Sequence, residues 1–207
     1  MKKKFDRVYQ FKIFLKDIKP PVWRRIQVPE NYTFWDLHVA IQDAMGWRDC
    51  HLHQFELINP STGFKNVIRS YEGEEFDDDI VELEGLEKIS EWFSIDNRIA
   101  HYEYDFGDGW LHTVRLEKIL PRDKNVSYPI CIAGKRACPP EDCGGVWGYE
   151  ELLEILRDKN HPEYEDMIAW VRDQLELEET EEFNSEHFDP KEVTFDDPDK
   201  RFKIAFG

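Results

Sequence analysis

The 207-residue chain is short of positive charge, short of cysteine and free of any long apolar run. Lys and Arg number 27 against 44 Asp and Glu, a formal charge of -17. A surface this acidic repels a phosphate backbone, which disfavours general duplex binding. The four cysteines include no Cys-x-x-Cys pair, so the common zinc-ribbon and finger spacings are excluded. No apolar stretch is long enough to cross a bilayer. The basic start Met1-Lys2-Lys3-Lys4 runs into Phe5-Asp6-Arg7, with no apolar segment of the secretory kind behind it. The expectation is a cytoplasmic protein with no membrane partner, whose cysteines are reduced thiols or metal ligands rather than disulfides.

Several motif sets are also incomplete. Asp105-Phe106-Gly107 spells the kinase metal-binding tripeptide, but no glycine-rich loop or catalytic-loop motif accompanies it. The acidic turn lacks calcium-loop spacing, and Gly134-Lys135 lacks the rest of a phosphate-binding loop.

What is present is a foldable core, with 41% hydrophobic and 14% aromatic residues, including seven tryptophans. Charge is unevenly spread: residues 1–30 hold nine Lys/Arg against three Asp/Glu. That basic edge, through Lys2, Lys3, Lys4 and Arg7, is a place where something anionic such as nucleic acid could be met, although solvated lysines on a first strand are the favoured account of it.

Alternation from Tyr9 to Leu15 predicts a half-buried strand, Pro20-Pro21 a break, and Val22–Val28 a second strand. Thr33 caps a predicted helix with Phe34, Leu37, His38, Ile41 and Met45 on its apolar face and Gly46 as its stop. His51, His53, Phe55 and Leu57 fall on one face of a strand. Residues 72–84 read as a solvated acidic loop, and Leu86–Phe93 as a short helix. Residues 128–145 read as a turn-rich loop. Two helices follow, one carrying Tyr149, Leu152, Leu153 and Leu156, the other carrying Tyr164, Ile168, Val171 and Leu175. The fold class expected is α+β, with a mixed, largely antiparallel sheet packed with several helices. Residues 1–178 form one domain, and 179–207 an acidic extension docked in part through Phe188, Phe195 and Phe202.

The most information-rich stretch is Tyr102–His112, two predicted strands joined by a Gly-Asp-Gly turn. Ala100, Tyr102 and Tyr104 face one way; Trp110, His112, Val114 and Leu116 line one face of the next strand. Two histidines at i and i+2 on a strand can share one metal, so His51, His53, His112 and Asp105 are candidate ligands for a divalent ion such as zinc. Cys131, Cys138 and Cys143 with a histidine form a second candidate set. Asp105 and Asp108, if buried together, could divide acid and base roles. Each set has a plain structural alternative: core histidines, loop thiols, and aspartates capping turn N–H groups.

Several motifs stand in one order. They are Pro20-Pro21-Val22-Trp23-Arg24-Arg25, Trp35-Asp36-Leu37-His38, Met45-Gly46-Trp47, His51-Leu52-His53-Gln54-Phe55, Tyr104-Asp105-Phe106-Gly107-Asp108 with Trp110 and His112, and Cys131 through Pro139-Pro140-Glu141-Asp142-Cys143-Gly144-Gly145 with Gly148-Tyr149. Together they resemble the plasmid pRiA4b ORF-three-like family over roughly residues 8–190. The resemblance implies an α+β fold and, for some members, a mobile-element context. Three functions then compete. One is a binding or adaptor domain for a protein or small molecule, its site formed by His51, His53, Tyr104, Asp105, Asp108, Trp110, His112, Glu141 and Asp142. The second is a metal-dependent hydrolase using the histidines and aspartates. The third is a nucleic-acid accessory protein.

Overall fold

Apolar side chains at every second position of Arg7–Leu15 (β1) give a strand buried on one face, and Trp23–Pro29 (β2) repeats the pattern beside it. The computed structural model describes residues 4–70 and 81–206. Further strands are His53–Ile58 (β3), Lys65–Arg69 (β4), Val81–Leu83 (β5), Ile99–Tyr104 (β6), Trp110–Pro121 (β7) and Ile130–Lys135 (β8). They form one eight-stranded sheet in the order β5-β4-β3-β6-β7-β1-β2-β8. Every pairing is antiparallel except β4 with β5. With the helices this is the expected α+β class.

Helix α1, Phe34–Met45, starts at Thr33, whose side chain accepts from the Asp36 N–H while the Asp36 carboxylate accepts from the Thr33 N–H. It ends at Gly46 and is buried along most of its length. Phe34 fixes it to the sheet: its ring meets Phe55 edge-on at 5.1 Å and stacks on Phe93 at 6.0 Å, and Phe93 in turn meets Phe11 at 4.9 Å. A single turn, Ile89–Trp92 (α2), leads into β6; the helical span is shorter than residues 86–93 predict. Gly145–Arg157 (α3) and Tyr164–Leu175 (α4) pack through Tyr149, Leu152, Ile155, Tyr164 and Val171. No described helix is long and apolar enough to cross a membrane.

The loop expectation for residues 128–145 is corrected. The segment 128–145 is not all loop, because its first part pairs with β2 as the edge strand β8. Alternation is weak there, and the sheet edge supplies the order that the sequence pattern does not. The C-terminal extension also contains a helix, Pro198–Phe206 (α5). The extension is docked at named points. Arg24 lies 3.7 Å over the Phe188 ring, Phe195 packs against the core, and Phe202 meets Trp35 edge-on at 5.5 Å. The Trp35 indole N–H donates to the Pro198 carbonyl at 3.1 Å. The acidic stretch Asp77-Asp78-Asp79, and Lys2 and Lys3 of the basic edge, lie outside the described residues.

Candidate functional site

Register decides which predicted residues meet. His53 pairs with Tyr104, and Tyr104 with Trp110, so one row of core side chains crosses β3, β6 and β7. The next row aligns Phe55, Tyr102 and His112. His53, Trp110 and His112 therefore point inward, where His112 is wholly buried. Its Nδ1 lies 3.3 Å from the Tyr102 carbonyl, its ring meets Trp47 edge-on at 5.3 Å, and burial pushes its pKa down to about 4.

His51 precedes the strand and takes a different direction. Its Nε2 faces the Asp142 carboxylate at 3.2 Å and that of Asp105 at 3.7 Å. It has no hydrogen-bond partner among the described residues. One ligand atom from each of His51, Asp105 and Asp142 falls within 4.8 Å of the others, making an outer centre at the protein surface. Both aspartates hold left-handed backbone, with φ of 56° at Asp105 and 59° at Asp142. One Asp105 oxygen closes its own turn on the Gly107 N–H at 3.0 Å, leaving the other for His51.

The loop carrying Asp142 is tied down around it. Trp47 donates to the Pro139 carbonyl at 2.9 Å, and the Arg48 N–H to Glu141 at 2.9 Å. The Tyr104 hydroxyl donates to the other Glu141 oxygen; burial first, and that carboxylate second, hold its pKa far above the usual tyrosine range. Asp108 accepts from the Gly144 N–H at 3.1 Å, and Gly145 lies so close that a Cβ there would fall 2.4 Å from the Asp108 carbonyl oxygen. The acidic turn, the His51 segment and the Pro139–Gly145 loop thus meet at one place. Asp108 and Glu141 hold the loop in position rather than face the centre.

The single metal set of His51, His53, His112 and Asp105 does not assemble, because strand register turns His53 and His112 into the core and leaves His51 outside it. Nor do the three cysteines group with one another or with a histidine among the described residues. Cys131 is on β8, and burial raises the pKa of all three thiols, that of Cys143 to about 12. Thiolate, the ligand form, is disfavoured.

A second grouping escaped sequence reasoning. His38 descends from α1 onto His53, their rings parallel within 4° and 3.4 Å apart. His38 Nε2 lies 2.7 Å from Asp49, and His53 Nε2 lies 2.6 Å from Glu84. Its signal was a histidine on the apolar face of a helix, which is ordinarily a satisfied core residue. Glu84 was hidden at the end of an acidic run.

The family described as plasmid pRiA4b ORF-3-like protein matches residues 7–192. The chain belongs to this family. An uncharacterised protein y4hQ of Sinorhizobium fredii (strain NBRC 101917 / NGR234) is 32% identical over 163 residues, 79% of this chain and 80% of the relative. A crystal structure of a protein of unknown function, MM3350 from Methanosarcina mazei Go1, is 53% identical with a TM-score of 0.82. It covers 93% of this chain and 100% of its own. The pRiA4b ORF-3-like match takes in both groupings and stops short of α5, which begins at Pro198.

The three arginines among residues 1–30 are engaged. Arg7 pairs with Glu30 at 3.1 Å, Arg25 with Glu117 at 2.6 Å, and buried Arg24 donates to the Ala44 carbonyl at 2.7 Å.

Proposed function

We propose that this pRiA4b ORF-3-like protein is a binding domain whose outer centre, His51, Asp105 and Asp142, takes a cationic ligand. The observation that carries the reading is the His51 Nε2, which faces two carboxylates without a hydrogen bond among the described residues. In the tautomer that leaves a lone pair on Nε2, the imidazole and the two carboxylates would together hold a cation placed between them. Phe106 and Trp147, 45% and 83% exposed, flank the contributing segments in sequence and offer apolar contact to a larger ligand.

The cation is either a divalent metal ion or the ammonium or guanidinium of a small molecule or polypeptide. Calorimetric titration of chelator-treated protein with zinc or manganese, and separately with a lysine- and arginine-containing peptide, distinguishes the two. One class should bind at the outer centre, and Asp142→Asn should remove that outer-centre component of the binding. If neither binds, the reading is wrong.

One feature favours a hydrolytic version as a second reading. Three protein ligands with Asp142 61% exposed leave room for a metal-bound water, as in catalytic zinc centres. Metal-dependent turnover of a phosphoester or amide panel, lost in His51→Gln, would support it.

A further inference from the structure

We infer that His38, His53 and Asp49, backed by Glu84, form a second, buried centre for a divalent transition-metal ion. This does not rest on the outer centre, with which it shares no residue. One ligand atom each from His38, Asp49 and His53 lies within 4.8 Å of the others. Two imidazoles with a carboxylate suit zinc and its first-row neighbours better than magnesium or calcium, which prefer all-oxygen shells.

Burial makes the grouping hard to explain as surface chemistry. His38 is wholly buried, His53 is 6% exposed and Glu84 3%. Glu84 Oε2 sits 2.6 Å from His53, but its Oε1 has no hydrogen-bond partner among the described residues. A buried carboxylate oxygen without a donor is costly, and a bound cation beside it removes that cost. Around the same spot Arg201 of α5 is shared by Asp43 at 2.7 Å, Asp196 at 2.5 Å and Asp49 at 3.7 Å. One guanidinium therefore faces three carboxylates before Glu84 is counted.

The imidazoles are also held as ligands need to be. His38 and His53 come from a helix and a strand, and the ring stack leaves neither free to turn. His38 Nδ1 lies 2.9 Å from the Tyr102 hydroxyl, which accepts from Gln42 Nε2 at 2.8 Å while Gln42 Oε1 is buried without a partner among the described residues. Turning that amide end for end satisfies Gln42 Oε1 but gives up the hydrogen bond from His38 Nε2 to Asp49, which an ion held by both would replace. Tyr102 then donates to Gln42 and accepts from His38 Nδ1–H, and the His38 Nε2 lone pair is directed to the Asp49 side. Such an outer-shell contact on a metal-bound histidine fixes its tautomer.

The test uses the full chain carrying Asp142→Asn, which silences the outer centre. After chelator treatment it should take up one equivalent of cobalt or zinc, and X-ray absorption should count two imidazoles on the metal. An outer-centre ion would show one. Uptake should vanish in Asp142→Asn with His53→Gln added. Adding Tyr102→Phe instead, a milder change, should weaken affinity on the order of 10-fold. Should His53→Gln not fold, imidazole nitrogen resonances in the unmodified chain decide: zinc must shift those of His38 and His53 and leave His112 in place. No uptake by the Asp142→Asn chain, or fewer than two imidazoles, overturns the proposal, and neither result bears on binding at His51.

Discussion

The inner and outer groupings use the same two chemistries, imidazole and carboxylate, in opposite surroundings. Inside, His38, His53 and Glu84 are buried, and Tyr102 and Gln42 complete a network between helix α1 and the sheet. Outside, Asp142 is mostly solvated while Asp105 is largely buried, and both hold left-handed backbone. A buried network is part of what holds the chain folded, so changing it alters fold and chemistry together. A surface grouping held by turns lets its chemistry be changed alone. The comparison is broken if the inner residues prove dispensable for stability or the outer ones indispensable.

The largest effect is expected inside. His38→Ala leaves the Asp49 carboxylate and the Tyr102 hydroxyl without their buried partner and opens a space beside His53. A destabilisation on the order of 4 kcal/mol follows, read as a lower denaturant midpoint at constant slope. A loss near zero would mean that the stacked pair is not structural.

Acid sharpens the same contrast. His112 is fully buried among Trp47, Trp110 and Tyr102, and burial lowers its pKa to about 4. An unfolded histidine titrates near 6.5, so between roughly pH 6.5 and 4 the unfolded chain holds the extra proton. Stability contributed by the neutral ring is complete above that window and lost as pH falls through it. The loss is about 3 kcal/mol. His112→Phe should flatten the stability curve there by about that amount, while His38, lowered likewise, keeps its own contribution in the variant.

These contrasts also explain what the sequence made legible. Period-two alternation in Tyr9–Leu15, Ala100–Tyr104 and Trp110–Leu116 identifies strands and their inward faces, and the observed burial follows it. The Thr33 cap and Gly46 stop frame α1 for local reasons that a sequence displays. Strand β8 and helix α5 have weak local patterns and owe their order to neighbours, β2 for one and Trp35 and Asp43 for the other. Within the site, the meeting of the acidic turn with the Pro139–Gly145 loop follows from motif content. The division between His51 and His53 does not. Two residues apart, they would share a face on a continuous strand, but β3 begins only at His53. The His38–His53 pair joins a helix to a strand, and no periodicity within either element points to it.

A middling effect is expected where the outer grouping is anchored. Gly145 has φ of +67°, and a Cβ would fall 2.4 Å from the Asp108 carbonyl oxygen. Gly145→Ala should destabilise by about 2 kcal/mol, combining left-handed strain with the backbone overlap. It should also weaken cation binding at His51, because the loop carrying Asp142 moves off the acidic turn. Full outer-centre affinity in a destabilised Gly145→Ala chain would detach the loop contact from the site.

The smallest stability change makes the sharpest test. Asp142 has a side chain 61% exposed and meets His51 at 3.2 Å without a hydrogen bond, so Asp142→Asn removes charge and little packing. Thermal unfolding without added cation should stay within about 0.5 kcal/mol of the parent chain. With a saturating cationic ligand, the parent should gain stability through preferential binding to the folded state. The part of that gain arising at His51 should be missing in the variant, and any gain from the buried pair should remain. Equal shifts in both chains would transfer all cation binding to the interior and leave Asp105 and Asp142 as turn residues alone.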